Sequence, residues 1–567
     1  MKNLKKKAFT LVELLVVIAI IAILAVAGVV GYVVFTKKAA QSNDTSLVSQ
    51  LNEYMAAASS TDNINTVSDA RDLLVQDGID LASLKLTAKG YRPAFDIASK
   101  KFVKVNKESP EDYSGKAEDL FVFVSNEADA TTFTNAGYSV YLQNGFNVAT
   151  LNVKSGVDVG ENNGISAINY TSTDTKEVVI RTKGDQCILT VDAPNGDVLF
   201  YGFAKKIDVK DVKLTSLHIY GATNQLQVEK GHVAVEETGI VFDVIQVGTT
   251  DAGTGATITN NGYIAASTLS EHSAAAKEAA AAAVTGEEIG GDYKISTLAQ
   301  LESFRDAVNA GNNFAGLTVK LTKDITLKDG WTPIGEGCRQ VVQNGSSTVA
   351  TLFAGTFDGQ NHTISNLNNK GFTPNSNRFD ADKGCAYGLF ALAGNGAEIK
   401  NIKLANVNIE FTGSLIGDSV AALVGYSENN ITITNVSVIS GTITASDAVA
   451  GILGRAYISK TTSPSTIYTV TISSCSNTAN VTATDNKGGK SAGILAIASD
   501  VSGGVNKLSL TLETCTNEGT ILGLYSSSVF AYATNNRSNN YVMHNCSSNV
   551  VVSGVDKVTV INDWLIK

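Results

Sequence analysis

Two sets of residues advance in step through the C-terminal half of the chain, and they limit its fold more than any other feature. The first joins a small residue to an apolar pair: Gly388-Leu389-Phe390, Ala422-Leu423-Val424-Gly425, Gly451-Ile452-Leu453-Gly454, Gly493-Ile494-Leu495 and Ser528-Val529-Phe530. Its leading apolar members, Leu389, Leu423, Ile452, Ile494 and Val529, are 34, 29, 42 and 35 residues apart. The second set, Ile402, Val436, Cys475, Cys515 and Cys546, advances by 34, 39, 40 and 31. Two markers that keep company through insertions define one structural unit per period, stacked on its neighbours. Small residues let backbones approach at a crowded corner, while alternating Val, Ile and Ala point inward. The spacing predicts a right-handed parallel β-helix over residues 291–567.

Of 567 residues, 17% are charged and 44% hydrophobic, with 50 Gly and 6 Pro. An average soluble protein is about 25% charged. High apolar content at low charge density excludes disorder for most of the chain. Six prolines exclude a collagen-like or Pro-rich stalk. Ser, Thr, Asn and Gly replace the missing charge in the second half, the composition of a surface protein. The formal charge is −10 with no Lys/Arg cluster in the body, which argues against nucleic acid as a partner.

At the N-terminus, Lys2, Lys5, Lys6 and Lys7 precede an apolar run from Phe9 to Thr36 whose one charge is Glu13. From Leu14 to Thr36 there are 23 uncharged residues, enough to cross a ~30 Å hydrocarbon core as a helix. The lysines favour a cytoplasmic N-terminus and an exported body. The run is too long for an ordinary cleaved signal peptide. A carboxylate inside it costs on the order of 2.5–3.5 kcal/mol and calls for a cationic partner.

Lys7-Ala8-Phe9-Thr10-Leu11-Val12-Glu13 resembles the processing motif of type IV pilins and pseudopilins. The resemblance implies that a prepilin peptidase cuts between Ala8 and Phe9 and methylates the new Phe9 amino group. It also implies that Glu13 neutralises the Phe9 ammonium of a neighbouring subunit in a filament. Ala8 departs from the family's usual Gly, and Val29-Val30-Gly31 stands where many pilins carry a mid-helix Pro. Processing removes four lysines and lowers the side-chain charge from −10 to −14.

The fold class expected is mainly β with a long N-terminal helix: a pilin-like α+β head followed by parallel β-helix. Residues 1–8 are the leader and 9–60 the transmembrane stem, with Leu47, Leu51, Tyr54 and Met55 at helical spacing. Residues 61–148 form the head, a short helix from about Val67 on an antiparallel sheet that includes Leu120 to Val124 and Tyr138 to Leu142. Residues 149–270 are rich in short strands, read as solenoid-like. Alanine-rich 271–290 is a semi-rigid linker. Thr297-Leu298-Ala299-Gln300 is a capping box opening a helix that covers the first coil of the repeats. The segment from Tyr293 to Ser548 resembles the GLUG-repeat regions of bacterial surface proteins, most distinctively from Phe353 to Ile364.

Candidate sites are few. Cys475, Cys515 and Cys546 share a repeat position with Ile402 and Val436, so an inward stack is favoured over bridges; Cys338 with Cys385 is a weaker disulfide candidate. No zinc spacing and no H-E-x-x-H motif involves His218, His232, His272, His362 or His544. Asp358-Gly359 before His362 reads as a tight turn, and Asn375, Asn377, Asp380 and Asp382 as a solvated loop. With Lys383, these aspartates are the dense charge available for glycan cleavage. Tyr426, Tyr457, Tyr525 and Tyr532 follow the repeat strands and are the candidates for surface binding.

The function expected is a type IV pilus-like subunit, a minor, tip or decorated pilin, that displays its β-helix outside the cell for adhesion. It is not expected to be an enzyme or to hold a cofactor or metal. Its partners would be prepilin peptidase, other pilins through the helix, the membrane, and an extracellular ligand such as a glycan or host surface. The alternatives are a pilus-anchored carbohydrate-active enzyme and a pseudopilin of a secretion or DNA-uptake machine.

Overall fold

The computed structural model describes the chain from residue 41, except 58–63, 75–78, 89, 111–112, 162–163, 185, 248–254, 266–282, 336–351, 371, 373–385, 412–418, 459–465, 487, 501–506, 534–539, 549–551, 554–555, 559–563 and 567. A stem helix over residues 41–57 leads into a small head. The head contains the helix Val67–Leu74 and strands β1 (Tyr91–Asp96), β2 (Lys101–Asn106), β3 (Leu120–Val124) and β4 (Ser139–Leu142). Thr66 and Asp69 cap the short helix reciprocally: Asp69 N–H donates to Thr66 Oγ1 at 3.2 Å, and Thr66 N–H donates to Asp69 Oδ2 at 2.8 Å.

The head sheet is mixed, not antiparallel throughout. β1 pairs antiparallel with β2 and β3, but β3 pairs parallel with β4. The reason is the helix Glu127–Asn135 between β3 and β4, a crossover that returns the chain in the same direction. Its N-cap Asn126 accepts the Asp129 N–H at 2.9 Å. Because β4 is parallel to β3, its other edge continues into further parallel strands.

From β4 onward the first body is built of stacked parallel strands. One interior row runs Val140, Val157, Ile180 and Phe200. In the facing sheet the row is Leu151, Ile168, Leu189, Ile207, Leu226 and Val244, each at most 3% exposed. Successive members of that row are 17, 21, 18, 19 and 18 residues apart, so about twenty residues make one unit. The strand Val198–Ile219 serves both sheets in turn. The head helix is fastened to this body through buried Asp158. Its carboxylate accepts the Ser68 N–H and hydroxyl at 2.8 Å each, the Gly160 N–H at 2.8 Å, and Arg181 Nη1 at 3.3 Å.

The second body has longer units. Its broad sheet stacks the strands Thr318–Leu321, Thr356–Asp358, Ala397–Ala405, Ile431–Val438, Ile467–Ser473, Lys507–Glu513 and Asn540–His544, all parallel. The two marker sets are two interior rows. Leu389, Leu423, Ile452, Ile494 and Val529 are fully buried at a corner. Ile402, Val436, Cys475, Cys515 and Cys546 are at most 1% exposed in the broad sheet. Each member of the second row follows a residue in the left-handed region: Asn401, Asn435, Ser474, Thr514 and Asn545, at φ of 50–55°. That turn swings the next side chain inward, and Asn tolerates it best among non-glycine residues. Asn435 Nδ2 donates to Asn401 Oδ1 at 2.8 Å across adjacent units.

The helix Leu298–Asn309 closes the predicted capping box on Thr297 and Gln300. It does more than cover one coil. Leu301, Phe304, Ala307 and Val308 share a buried cluster with Phe203, Ala222, Ile240 and Tyr263 of the first body and with the core of the second. One apolar core therefore runs through the junction. At the far end Trp564–Ile566 pairs antiparallel with Asn540–His544, which blocks that edge of the broad sheet.

Candidate functional site

Beside the broad sheet, two smaller sheets meet at the corner. One stacks Ala386–Tyr387, Ser419–Ala421, Ala448–Ala450, Lys490–Ala492, Tyr525–Ser527 and Asp556–Val558. The other stacks Phe390–Gly394, Val424–Glu428, Leu453–Ile458, Leu495–Asp500 and Phe530–Ala533. Their outward rows face each other across a crease. The first row is Ala386, Ser419, Ala448, Lys490 and Tyr525. The second is Leu392, Tyr426, Arg455, Ile497 and Tyr532.

The rows mesh with an offset of one unit. Tyr426 clusters with Ala386, Arg455 Nε donates to Ser419 Oγ at 3.0 Å, Ile497 clusters with Ala448, and Lys490 Nζ lies 5.6 Å from the Tyr532 ring centre. The close approach needs a missing side chain. A Cβ on Gly454 would lie 2.6 Å from the Gly425 carbonyl oxygen and 2.9 Å from Val420 N. At the corner, a Cβ on Gly451 would lie 2.3 Å from the Gly493 carbonyl oxygen and 2.5 Å from the side chain of buried Asn477. That amide in turn donates to Asn517 Oδ1 at 2.8 Å.

Asp447, immediately before the strand Ala448–Ala450, accepts Arg455 Nη2 and Lys490 Nζ, both at 2.9 Å. The three side chains are 16–20% exposed, so two cations share one carboxylate at a half-dry surface. The four candidate tyrosines fall into two pairs on either side. Tyr426 and Tyr457 are 5.6 Å apart between ring centres, and Tyr525 and Tyr532 are 6.2 Å apart. Tyr426 is 9% exposed and packs with Leu352, Ala354 and Leu392, whereas Tyr532 is 40% exposed. The tyrosines therefore do not make one continuous aromatic face.

Sequence reasoning missed Asp447, Arg455 and Lys490. The signal was present. Tyr426, Arg455, Ile497 and Tyr532 each stand three residues after the leading apolar member of the first marker set. Aligning units on that marker places them in one row.

The outward face of the broad sheet is polar and mostly uncharged, with rows Thr356-Glu398-Thr432-Thr471-Thr511 and Lys400-Thr434-Ser473-Glu513. Asp358 accepts Asn401 Nδ2, the Gln360 N–H and Gln360 Nε2 at 2.7–3.0 Å. Burial pushes its carboxyl up, but these donors and Lys400 outweigh it and hold the group below the usual range. His362 binds Asp324 at 3.0 Å rather than Asp358. In the first body, Ser216 Oγ meets His232 Nδ1 at 2.7 Å, and His218 Nδ1 meets Glu236 Oε1 at 2.6 Å. Among the described residues no group of three or more His, Cys, Asp or Glu is arranged to hold a metal.

Ala8, Phe9 and Glu13 lie outside the described residues, as do His272, Cys338, Cys385, Asn375, Asn377, Asp380, Asp382, Lys383 and most of the alanine-rich linker. Among the described residues no helix is long and apolar enough to cross a membrane; the run from Phe9 to Thr36 lies outside them.

Comparison with known proteins bears on that end of the chain. Residues 3–29 match the family described as the prokaryotic N-terminal methylation motif. The match contains Ala8, Phe9 and Glu13, and it implies a membrane-anchored precursor processed by prepilin peptidase and assembled with other pilins. Halomucin of Haloquadratum walsbyi is 30% identical over 162 residues, 29% of this chain. The chain spans only 2% of halomucin's length. A solved structure, "a putative immunoglobulin A1 protease from Bacteroides ovatus", is 16% identical, covers 49% of this chain and 79% of its own, and superposes with a TM-score of 0.31.

Proposed function

We propose that this chain is a type IV pilin-like subunit that displays a long β-solenoid outside the cell as an adhesive surface. The observation that carries the reading is the methylation-motif match at residues 3–29, with Glu13 five positions into the chain that cleavage at Phe9 would leave. Cleavage frees a Phe9 ammonium, and Glu13 of a neighbour supplies its counter-charge inside an apolar helix bundle.

The stacked parallel units support the display role. Each buries its apolar rows only against its neighbours, so the body grows in one dimension and offers long outer faces. We read these units as a parallel β-helix of the kind found in repetitive surface proteins. The size of the body suits a minor, tip or decorated subunit. The threonine and serine rows of the broad sheet favour contact with a polymer or another cell over bond cleavage.

Mass spectrometry of the mature N-terminus tests the proposal. A chain beginning at N-methylated Phe9 is expected; a chain retaining Met1 through Ala8 after co-expression with an active prepilin peptidase would overturn it.

A further inference from the structure

We propose that Cys515 and Cys546 form an oxidative cross-link between adjacent units of the second body, with a small-molecule disulfide as the oxidant. Ser476 stands opposite Thr516, and Thr516 opposite Ser547. The residues just before them, Cys475, Cys515 and Cys546, therefore hold equivalent positions on successive rungs. All three are free thiols, at most 1% exposed. They share one orientation: each donates to the carbonyl two residues back, Cys475 to Ser473 at 3.2 Å, Cys515 to Glu513 and Cys546 to His544 at 3.4 Å. Cys475 and Cys515 also reach the preceding rung, at the carbonyls of Ile433 (3.8 Å) and Ile472 (3.5 Å).

Neighbouring strands stand ~4.8 Å apart, inside the Cα separation of about 4.4–6.8 Å that a disulfide spans. The sulfurs line up along the stack, so a bond needs rotation about χ1 and little backbone movement. Packing alone does not require thiols here, because Ile402 and Val436 fill the same position on the two rungs before Cys475.

The order of events follows from the stack. A unit near the end opens more readily than an interior one, so Cys546 meets the reagent first. Its thiolate attacks a sulfur of R–S–S–R, which leaves Cys546–S–S–R and releases one thiolate that takes up a proton. The Cys515 thiolate then attacks the Cys546 sulfur and expels the second R–SH. Two protein thiols are oxidised and one external disulfide is reduced to two thiols. Hydrogen bonding among the thiols, together with burial, pushes Cys515 up to about 12 and Cys546 higher still. The exchange is accordingly slow and speeds up with pH.

This inference does not depend on how the N-terminus is processed. The test uses the full chain incubated with oxidised glutathione at about pH 8.5, with and without sub-denaturing urea, then alkylated and digested with trypsin. Cleavage at Lys460, Lys487, Lys507, Arg537 and Lys557 places the three cysteines on separate peptides. The expected product links the Cys515 and Cys546 peptides and leaves Cys475 alkylated, faster in urea; Cys475→Ser gives the same link. Full alkylation of all three cysteines in urea, or a predominant link between Cys475 and Cys515, would overturn it.

Discussion

Asn52 on the stem helix completes the backbone hydrogen bonding of Phe102 on the edge strand β2. The Phe102 N–H donates to Asn52 Oδ1 at 2.6 Å, and Asn52 Nδ2 donates to the Phe102 carbonyl at 3.0 Å. A carboxamide offers the same donor and acceptor as a peptide unit, so one side chain stands in for a neighbouring strand. Leu51 and Met55 bury beside it against Phe95, Phe102 and Phe123. The stem is thus docked on the head by a polar register pin as well as by apolar contact.

Asn52→Ala should leave two backbone groups of Phe102 without their protein partner and cost about 1–2 kcal/mol. Hydrogen exchange checks this: the Phe102 amide is expected to lose protection while the amides of the second body keep theirs.

Phe304 packs at the junction of the two bodies: its ring centre lies 4.8, 5.6 and 5.8 Å from those of Phe314, Phe353 and Phe357 of the second body, and Phe314 in turn meets Phe242 of the first body at 5.1 Å. Phe304→Ala should destabilise the chain by about 3–5 kcal/mol. The cavity sits in the shared cluster, so calorimetry of parent and variant is expected to show the transitions of the two bodies further apart in the variant.

Thr514 adopts φ 54° at the position that Asn holds in three other units, and a β-branched residue is poorly suited to that conformation. Thr514→Asn should stabilise the chain by about 1 kcal/mol. The urea midpoint reads it, and Asn435→Thr is expected to move the midpoint the other way.

Asp69 is pushed up to about 6, because burial outweighs the Asn65 and Thr66 backbone donors that favour its charged form. A raised carboxyl is protonated more readily in the folded chain than in the unfolded one. Its contribution to stability is fully present below its ordinary value of 3.8 and is lost as pH rises through about 6. Asp69→Asn is expected to flatten the fall in the urea midpoint between pH 4 and 6.5, roughly that window.

In the crease, Asp447→Ala leaves Arg455 and Lys490 without their shared carboxylate. The expected loss is about 1–2 kcal/mol, reduced by added salt because the groups are part-exposed. Arg455→Ala combined with Asp447→Ala should recover part of it, which a double-mutant cycle in low and high salt measures.

The interior rows were legible in the sequence because burial and crowding act on each unit alike. Leu423, Ile452 and Ile494 meet the same corner in successive units, so their spacing survives insertions elsewhere. The methylation motif was legible because its chemistry is local, a cleavage point before Phe9 and a carboxylate at the fifth residue of the cleaved chain. The crossover helix Glu127–Asn135 was not, since its apolar face rests on Ala130 and Phe133 alone.

Sequence by itself therefore determined the period, the inward rows and the address at the N-terminus, since each is written in residues close together or regularly repeated. Tertiary structure decided which distant side chains meet. Only the one-unit offset of two sheets brings Arg455 to Ser419 and Lys490 to Tyr532, and only the junction lets Phe304 serve two bodies through one core. Those meetings depend on how loops of unequal length return the chain, and no local pattern of residues encodes that.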